Sequence, residues 1–160
     1  MQYVGLGLCW DDLSIGQKFR TTGRTITEAD LVNFVNATGM TEVLFVDTEY
    51  LAEHAPNMGR VVPGALAYTF AEGLLVQSTM QHTGLAFLNM ELDIKGPTRV
   101  GDTIHVECEV VELSPTSKGR GKVRTFNKVV NQNGETVLTY NPLRIMAGRA
   151  KLEGHAEAAE

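Results

Sequence analysis

Aromatic residues are scarce. Together they make up 7% of the chain, so its core must be built mainly from aliphatic side chains. Cysteine is scarcer: Cys9 and Cys108 are the only two, and they fit neither a disulfide framework nor a zinc site. The histidines, His54, His82, His105 and His155, have no metal-ligand spacing either, so no metal is expected. Excess positive charge is absent. Lys and Arg number 14 against 19 Asp and Glu, a formal net charge of −5, which argues against a nucleic-acid or anionic-membrane binder. No apolar run is long and smooth enough to span a membrane. The nearest, residues 61–80, is broken by Pro63, Gly64, Glu72, Gly73, Gln77 and Ser78. The opening MQYVGLGLCWDD lacks the cationic start and cleavage region of a secretion signal. A cytoplasmic, reduced protein is the expectation.

What is present suffices for one domain. The chain has 160 residues, 43% of them apolar, with no repeats and no long linker. Residues 1–146 read as the domain, and the Ala/Glu/Gly-rich residues 147–160 as a flexible tail. The first third is helical. Thr27 with Asp30 forms a capping box before Leu31, Phe34 and Val35, and Gly39 can end that helix. Asp47 can cap a short helix from Thr48 to His54, stopped by Pro56. From Val61 to Met90 Glu72 is the only formal charge. Within that stretch Ala65 to Gln81 is long enough for a helix apolar nearly all round, which must be buried on most sides.

The second half reads as strands. Ile104, Val106, Cys108 and Val110 alternate with His105, Glu107 and Glu109. Lys122 to Val130 is a second strand, and Asn133-Gly134 a hairpin turn. Glu135 to Met146 continues as a third strand with an edge or bulge at Pro142, and Phe87 to Asp93 is a fourth. The simplest packing is α+β: a curved antiparallel sheet wrapped around one long buried central helix, paired with a second copy.

That arrangement is the hotdog fold, and the residues resemble one of its families, the MaoC-like dehydratases, which include the R-specific enoyl-CoA hydratases. DLSIGQKF and ITEADLVNFVNATG resemble the family's first strand and helix, and VDTEYL the segment after its catalytic loop. VVPGALAYTFAEGLL occupies the place of its central helix, KGPTRVGDTIHVECEV resembles its strand entry, and NQNGETVLTY its final hairpin. The likeness runs from Leu13 to Ile145. It implies a soluble homodimer or higher homo-oligomer that handles an acyl-CoA-type thioester, with coenzyme A as part of the substrate and no separate cofactor.

The family's catalytic loop has the form D-x-N-P-x-H. Its Asp and His together activate water and move the α-proton, as hydration of an enoyl thioester requires. The resemblance sets the Asp position on Met40 and the His position on Phe45, and neither side chain can carry a proton. Both then serve as apolar lining of the substrate cleft, and Glu42 is the only ionisable group inside the loop. The usual His-Gly before the central helix is Pro63-Gly64 here. The resemblance places the thioester oxygen contact at Gly64, where free N–H groups and the helix dipole meet; a tight turn into the helix also wants glycine.

Glu72 is the candidate for chemistry. A lone carboxylate in an uncharged segment is costly to bury, and such groups concentrate at functional sites. Hotdog acyl-CoA thioesterases carry an acid on this helix some seven residues after a His-Gly-Gly, a spacing that Glu72 keeps from Pro63-Gly64-Ala65. There it would attack the thioester carbonyl or activate water. The other reading puts Glu72 near a dimer seam, bonded to backbone or an arginine. Three functions follow: a hydratase or dehydratase with its acid and base elsewhere, a thioesterase using Glu72, or a non-catalytic subunit that partners an active homologous chain. Lys95, Arg99, Lys118, Arg120, Lys122 and Arg124 are candidates for the phosphates of coenzyme A or for solvated loops.

Overall fold

The computed structural model describes residues 4–150. Thr27 caps α1 (Glu28–Thr38): its hydroxyl accepts from Asp30 N, the Asp30 carboxylate accepts from Thr27 N, and Gly39 closes the helix in the left-handed conformation. After α2 (Val43–Val46), Asp47 caps α3 (Thr48–His54) by accepting from Tyr50 N. The long helix is α4 (Gly64–Thr79), displaced slightly toward the N terminus from the expected 65–81. Pro63 at its start has φ −54° and no N–H to leave unpaired.

The described strands form one open antiparallel sheet. They are β1 (Lys18–Arg20), β2 (Arg24–Thr25), β3 (Gly84–Asn89), β4 (Leu92–Ile94), β5 (Thr103–Pro115), β6 (Arg120–Val130), β7 (Thr136–Tyr140) and β8 (Leu143–Ala147). Strands β1, β5, β6, β7 and β4 lie side by side in that order; β2 also pairs with β5, while β8 joins β6 to β3.

Two expected strands are each divided in two. Residues 135–146 split into β7 and β8 because β6 is long enough for two partners. Its second half, Asn127–Val130, pairs with β7, and its first half, Arg120–Arg124, with β8. Pro142 at the step has no N–H for a ladder, and Thr125 N donates to its carbonyl. Residues 87–93 divide at the same level into β3, which begins earlier at Gly84, and β4. Asn141 stitches the two breaks together, exchanging backbone and side-chain hydrogen bonds with Glu91.

Leu66, Ala67, Ala71, Leu74 and Leu75 of α4 pack against Ile104, Val106, Val129, Leu138 and Tyr140 of the sheet. Burial of α4 is one-sided, however. Thr69, Gly73, Val76 and Gln77 remain exposed, so within one chain the helix is not enclosed on most sides. At the far end of the β5–β6 hairpin Gly121 lies flat against Trp10, where a Cβ would fall 2.2 Å from a ring atom.

The tail expectation divides likewise. Ala147 ends β8 and is buried, and Arg149 binds Asp11 and Asp12; the rest of that segment, residues 151–160, lies outside the described residues. No described helix is long and apolar enough to cross a membrane.

Candidate functional site

The chain enters α4 on a short bridge. Val61 pairs with Arg99, Val62 N donates to Thr98 O, and Val100 N donates to Arg60 O. Leu66 N and Ala67 N both turn back to Pro63 O. Among the described residues no hydrogen bond reaches Gly64 N or Ala65 N. The first N–H groups of a 16-residue helix are therefore open to an oxygen that gains negative charge. A Cβ at Gly64 would lie 2.9 Å from Cδ1 of Ile94, the movable end of a β4 side chain.

Residues 40–58 form a strap between α1 and the residues that lead into this helix. Met40 is exposed and Phe45 packs on the central core. Glu42, the one acid of the loop, caps α2 by accepting from Leu44 N. The Phe45 carbonyl accepts from Arg60 Nη1 at 2.7 Å, which ties the strap to the residues leading into Pro63 and Gly64. Phe45, Pro63 and Gly64 thus belong to one end of α4, with Met40 on the same strap.

Glu72 belongs elsewhere. Eight residues beyond Gly64, it lies about 12 Å further along the helix axis. Both its carboxylate oxygens accept from Arg144 Nη2, at 2.5 and 2.6 Å. The pair is largely buried, the Arg144 side chain 6% exposed and that of Glu72 16%. It forms the floor of a groove of about 300 Å³ between α4 and β3, walled by Val76, Met80, Leu85 and Phe87. The Arg144 guanidinium also faces the Phe87 ring at 5.5 Å. Of the two expectations for Glu72, the arginine-bonded one describes its surroundings.

Polar groups gather behind the pair on the inner face of the sheet. Thr125 Oγ1, both amide atoms of Asn127 and Tyr140 Oη are buried without a well-formed hydrogen bond. Burial, reinforced by the negative charge of Glu72, pushes the Tyr140 and Tyr68 hydroxyls up, so both stay protonated. Burial also pushes the Cys108 thiol up to about 11. At pH 8 only about one Cys108 in a thousand is thiolate. Iodoacetamide at that pH is expected to leave Cys108 unlabelled in the native protein and to label it rapidly in denaturant, as read by peptide mass.

Sequence reasoning missed Arg144. Its signal was available: one arginine inside the apolar run Leu143-Arg144-Ile145-Met146-Ala147, matching the one acid of the central helix. Several of the basic residues considered for phosphate have other partners: Arg99 donates to Met58 O. Lys95 pairs with Asp93 and Arg124 with Glu112, while Lys118 sits in the turn after β5. Cys9, Asp11 and Asp12 bring ligand atoms within 4.8 Å of one another, but both aspartates accept from Arg149.

Comparison with known proteins agrees with this architecture. Residues 14–140 match the family described as "FAS1-like, dehydratase domain region". An (R)-specific enoyl-CoA hydratase from Rhodospirillum rubrum is 27% identical over 132 residues, 81% of this chain and 90% of that one. The crystal structure of a MaoC-like dehydratase from Rhodospirillum rubrum superposes with a TM-score of 0.75 at 27% identity, covering 89% of this chain and 99% of the other. A double-hotdog protein from Mycobacterium tuberculosis shares the fold, with a TM-score of 0.80 at 24% identity over 92% of this chain and 46% of that one.

Proposed function

The chain belongs to the FAS1-like dehydratase family of MaoC-like hotdog proteins, and from that premise we propose that it binds an acyl-CoA-type thioester at the N terminus of α4 without carrying its own proton-transfer pair. The observation that carries this reading is the open pair of N–H groups at Gly64 and Ala65, together with Met40 and Phe45 at the two decisive positions of the preceding strap. Two N–H groups at a helix start suit a thioester oxygen. A thioether and a phenyl ring can neither activate water nor protonate an α-carbon. Glu42 is engaged as a helix cap and Glu72 by Arg144; both are withdrawn from such work.

Gly64 offers the direct test. A methyl group there meets only the movable end of Ile94, so Gly64→Ala is expected to fold. It is expected to weaken short-chain saturated acyl-CoA binding about tenfold, the cost of one distorted hydrogen bond to a polarised oxygen. Calorimetric titration reads this, and equal affinity in the two proteins would move the thioester away from α4.

We place the protein in the cytoplasm, in keeping with its buried Cys108 thiol, and give it a second copy of itself. Strand β3 supports the pairing. It is apolar on both faces, carries no charge, is exposed throughout and, among the described residues, pairs only with β8. Edge strands left in water normally carry charge or proline. The uncharged stripe of Thr69, Gly73 and Val76 on α4 adjoins the same groove. Leu88→Lys is expected to convert a two-chain particle into a one-chain particle in light scattering; a wild type already of one chain would remove the seam. A relative carrying the Asp/His pair could occupy the same seam and supply the missing acid and base. Hydration that appears only on mixing the two chains would identify that arrangement.

A further inference from the structure

We propose that Arg60 is a positioning residue that latches the strap of residues 40–58 to α1 and to the residues leading into α4, making the strap the gate of the thioester site. This rests on the thioester reading above for the contents of that site, but not for the latch itself.

Beyond Phe45 on the central core and buried Leu51, the strap has little else to hold it. Among residues 40–58 Leu51 alone is buried, and Met40, Val46, Tyr50 and Met58 all show apolar surface to solvent. A segment with so few buried contacts opens at low cost. Its backbone, however, is gripped at two carbonyls by two arginines. Arg99 Nε donates to Met58 O at 2.5 Å, and Arg60 Nη1 donates to Phe45 O at 2.7 Å. The Arg99 contact lies at the strap's root and the Arg60 contact near its middle, on the exposed carbonyl end of four-residue α2.

Arg60 is built for this task. Its backbone is fixed by Val100 N, which donates to its carbonyl, and by the neighbouring Val61–Arg99 bridge. Its side chain is 21% exposed and its guanidinium is oriented by Glu28 of α1: Nε donates to both carboxylate oxygens at 3.1 Å and Nη2 to one at 2.6 Å. That fork leaves Nη1 aimed at Phe45 O, a geometry that a lysine ammonium cannot reproduce. Arg60 therefore links α1, α2 and the entry to α4 through one planar group. Donation from Arg60 holds the Glu28 carboxyl below its ordinary range, so the clamp is complete at neutral pH and weakens as pH falls into the acid range.

The test uses the full-length protein and two readouts. Amide hydrogen exchange is followed by peptide mass in wild type, Arg60→Gln and Arg60→Lys. Release of a bound short-chain saturated acyl-CoA is followed after dilution into excess competitor. Arg60→Gln is expected to speed exchange of residues 43–55 about tenfold, the value of one hydrogen bond to a charged donor, while α4 and β5 exchange as before. Arg60→Lys is expected to leave the strap as fast as Arg60→Gln does. Release of acyl-CoA is expected to quicken in both variants by more than its equilibrium affinity falls, since an opened gate speeds entry as well as exit. Unchanged strap exchange in Arg60→Gln, full rescue by lysine, or unchanged release despite a loosened strap would each overturn the proposal. A wild type that binds no acyl-CoA would instead defeat the thioester reading, and the exchange comparison would still decide whether Arg60 is the latch.

Discussion

Replacing Glu72 by alanine is expected to lower the melting temperature by about 6–12 °C at fixed protein concentration. The estimate follows from the burial of its partner. Arg144 is 6% exposed, and both oxygens of Glu72 serve its Nη2. Removing one member of a buried ion pair leaves the other charged, dehydrated and without an acceptor, at a cost of about 3 kcal/mol. For a domain of this length, each kcal/mol moves the midpoint by about 2–4 °C. Tyr140, whose buried hydroxyl faces the same carboxylate, loses that neighbour as well. Glu72→Gln keeps the volume and one acceptor, so its loss should be roughly half as large. The double change Glu72→Leu, Arg144→Met should recover most of the deficit, since apolar replacement of a whole buried pair is often neutral. A Glu72→Ala protein melting within a degree or two of wild type would mean that the pair is dispensable. Under this account Glu72 is the structural partner of Arg144, so lost stability rather than a lost thioester hydrolysis activity is the effect expected of these variants.

The second large effect is a missing reaction. The purified chain is expected to leave a trans-2-enoyl-CoA unhydrated, even at enzyme concentrations well above those needed for turnover. Positioned acids and bases each contribute about 10²–10⁴-fold to such a step. Here the two positions that the family resemblance assigns to them hold Met40 and Phe45. The donors at the start of α4 remain, so binding should persist where turnover does not. The contrast between retained affinity and absent hydration separates this reading from a hydratase with relocated residues, which would show both.

Local signals made much of the fold legible. The Thr27–Asp30 box and the Asp47 cap act through bonds spanning three residues, and Gly39 through its own backbone conformation, so a short window contains their whole cause. The two split strands were not legible in the same way. Whether residues 135–146 form one strand or two depends on how β6 is shared between β7 and β8, which is a long-range property. Pro142 marked the place without revealing the consequence. At the site, Pro63 and Gly64 could be located because the resemblance sets the family's His-Gly, just ahead of its central helix, on them. The ion pair was only half visible. Glu72 stood out as the one charge among thirty residues from Val61 to Met90, yet its partner lies 72 positions away. Arg60 left no signal of its own, because both of its partners are set by where the strap lies, and one of them is a carbonyl that every residue possesses.

The most direct test of the central claim is a single determination of what the protein holds. The chain, in excess over a short trans-2-enoyl-CoA, is separated from free ligand by rapid filtration, and the retained thioester is identified by mass. The account predicts that the enoyl thioester is retained with its mass unchanged. A retained thioester that has gained the mass of one water would contradict it in favour of a working hydratase; release of free coenzyme A would favour a thioesterase. Absence of any retained thioester would contradict binding at the start of α4 altogether.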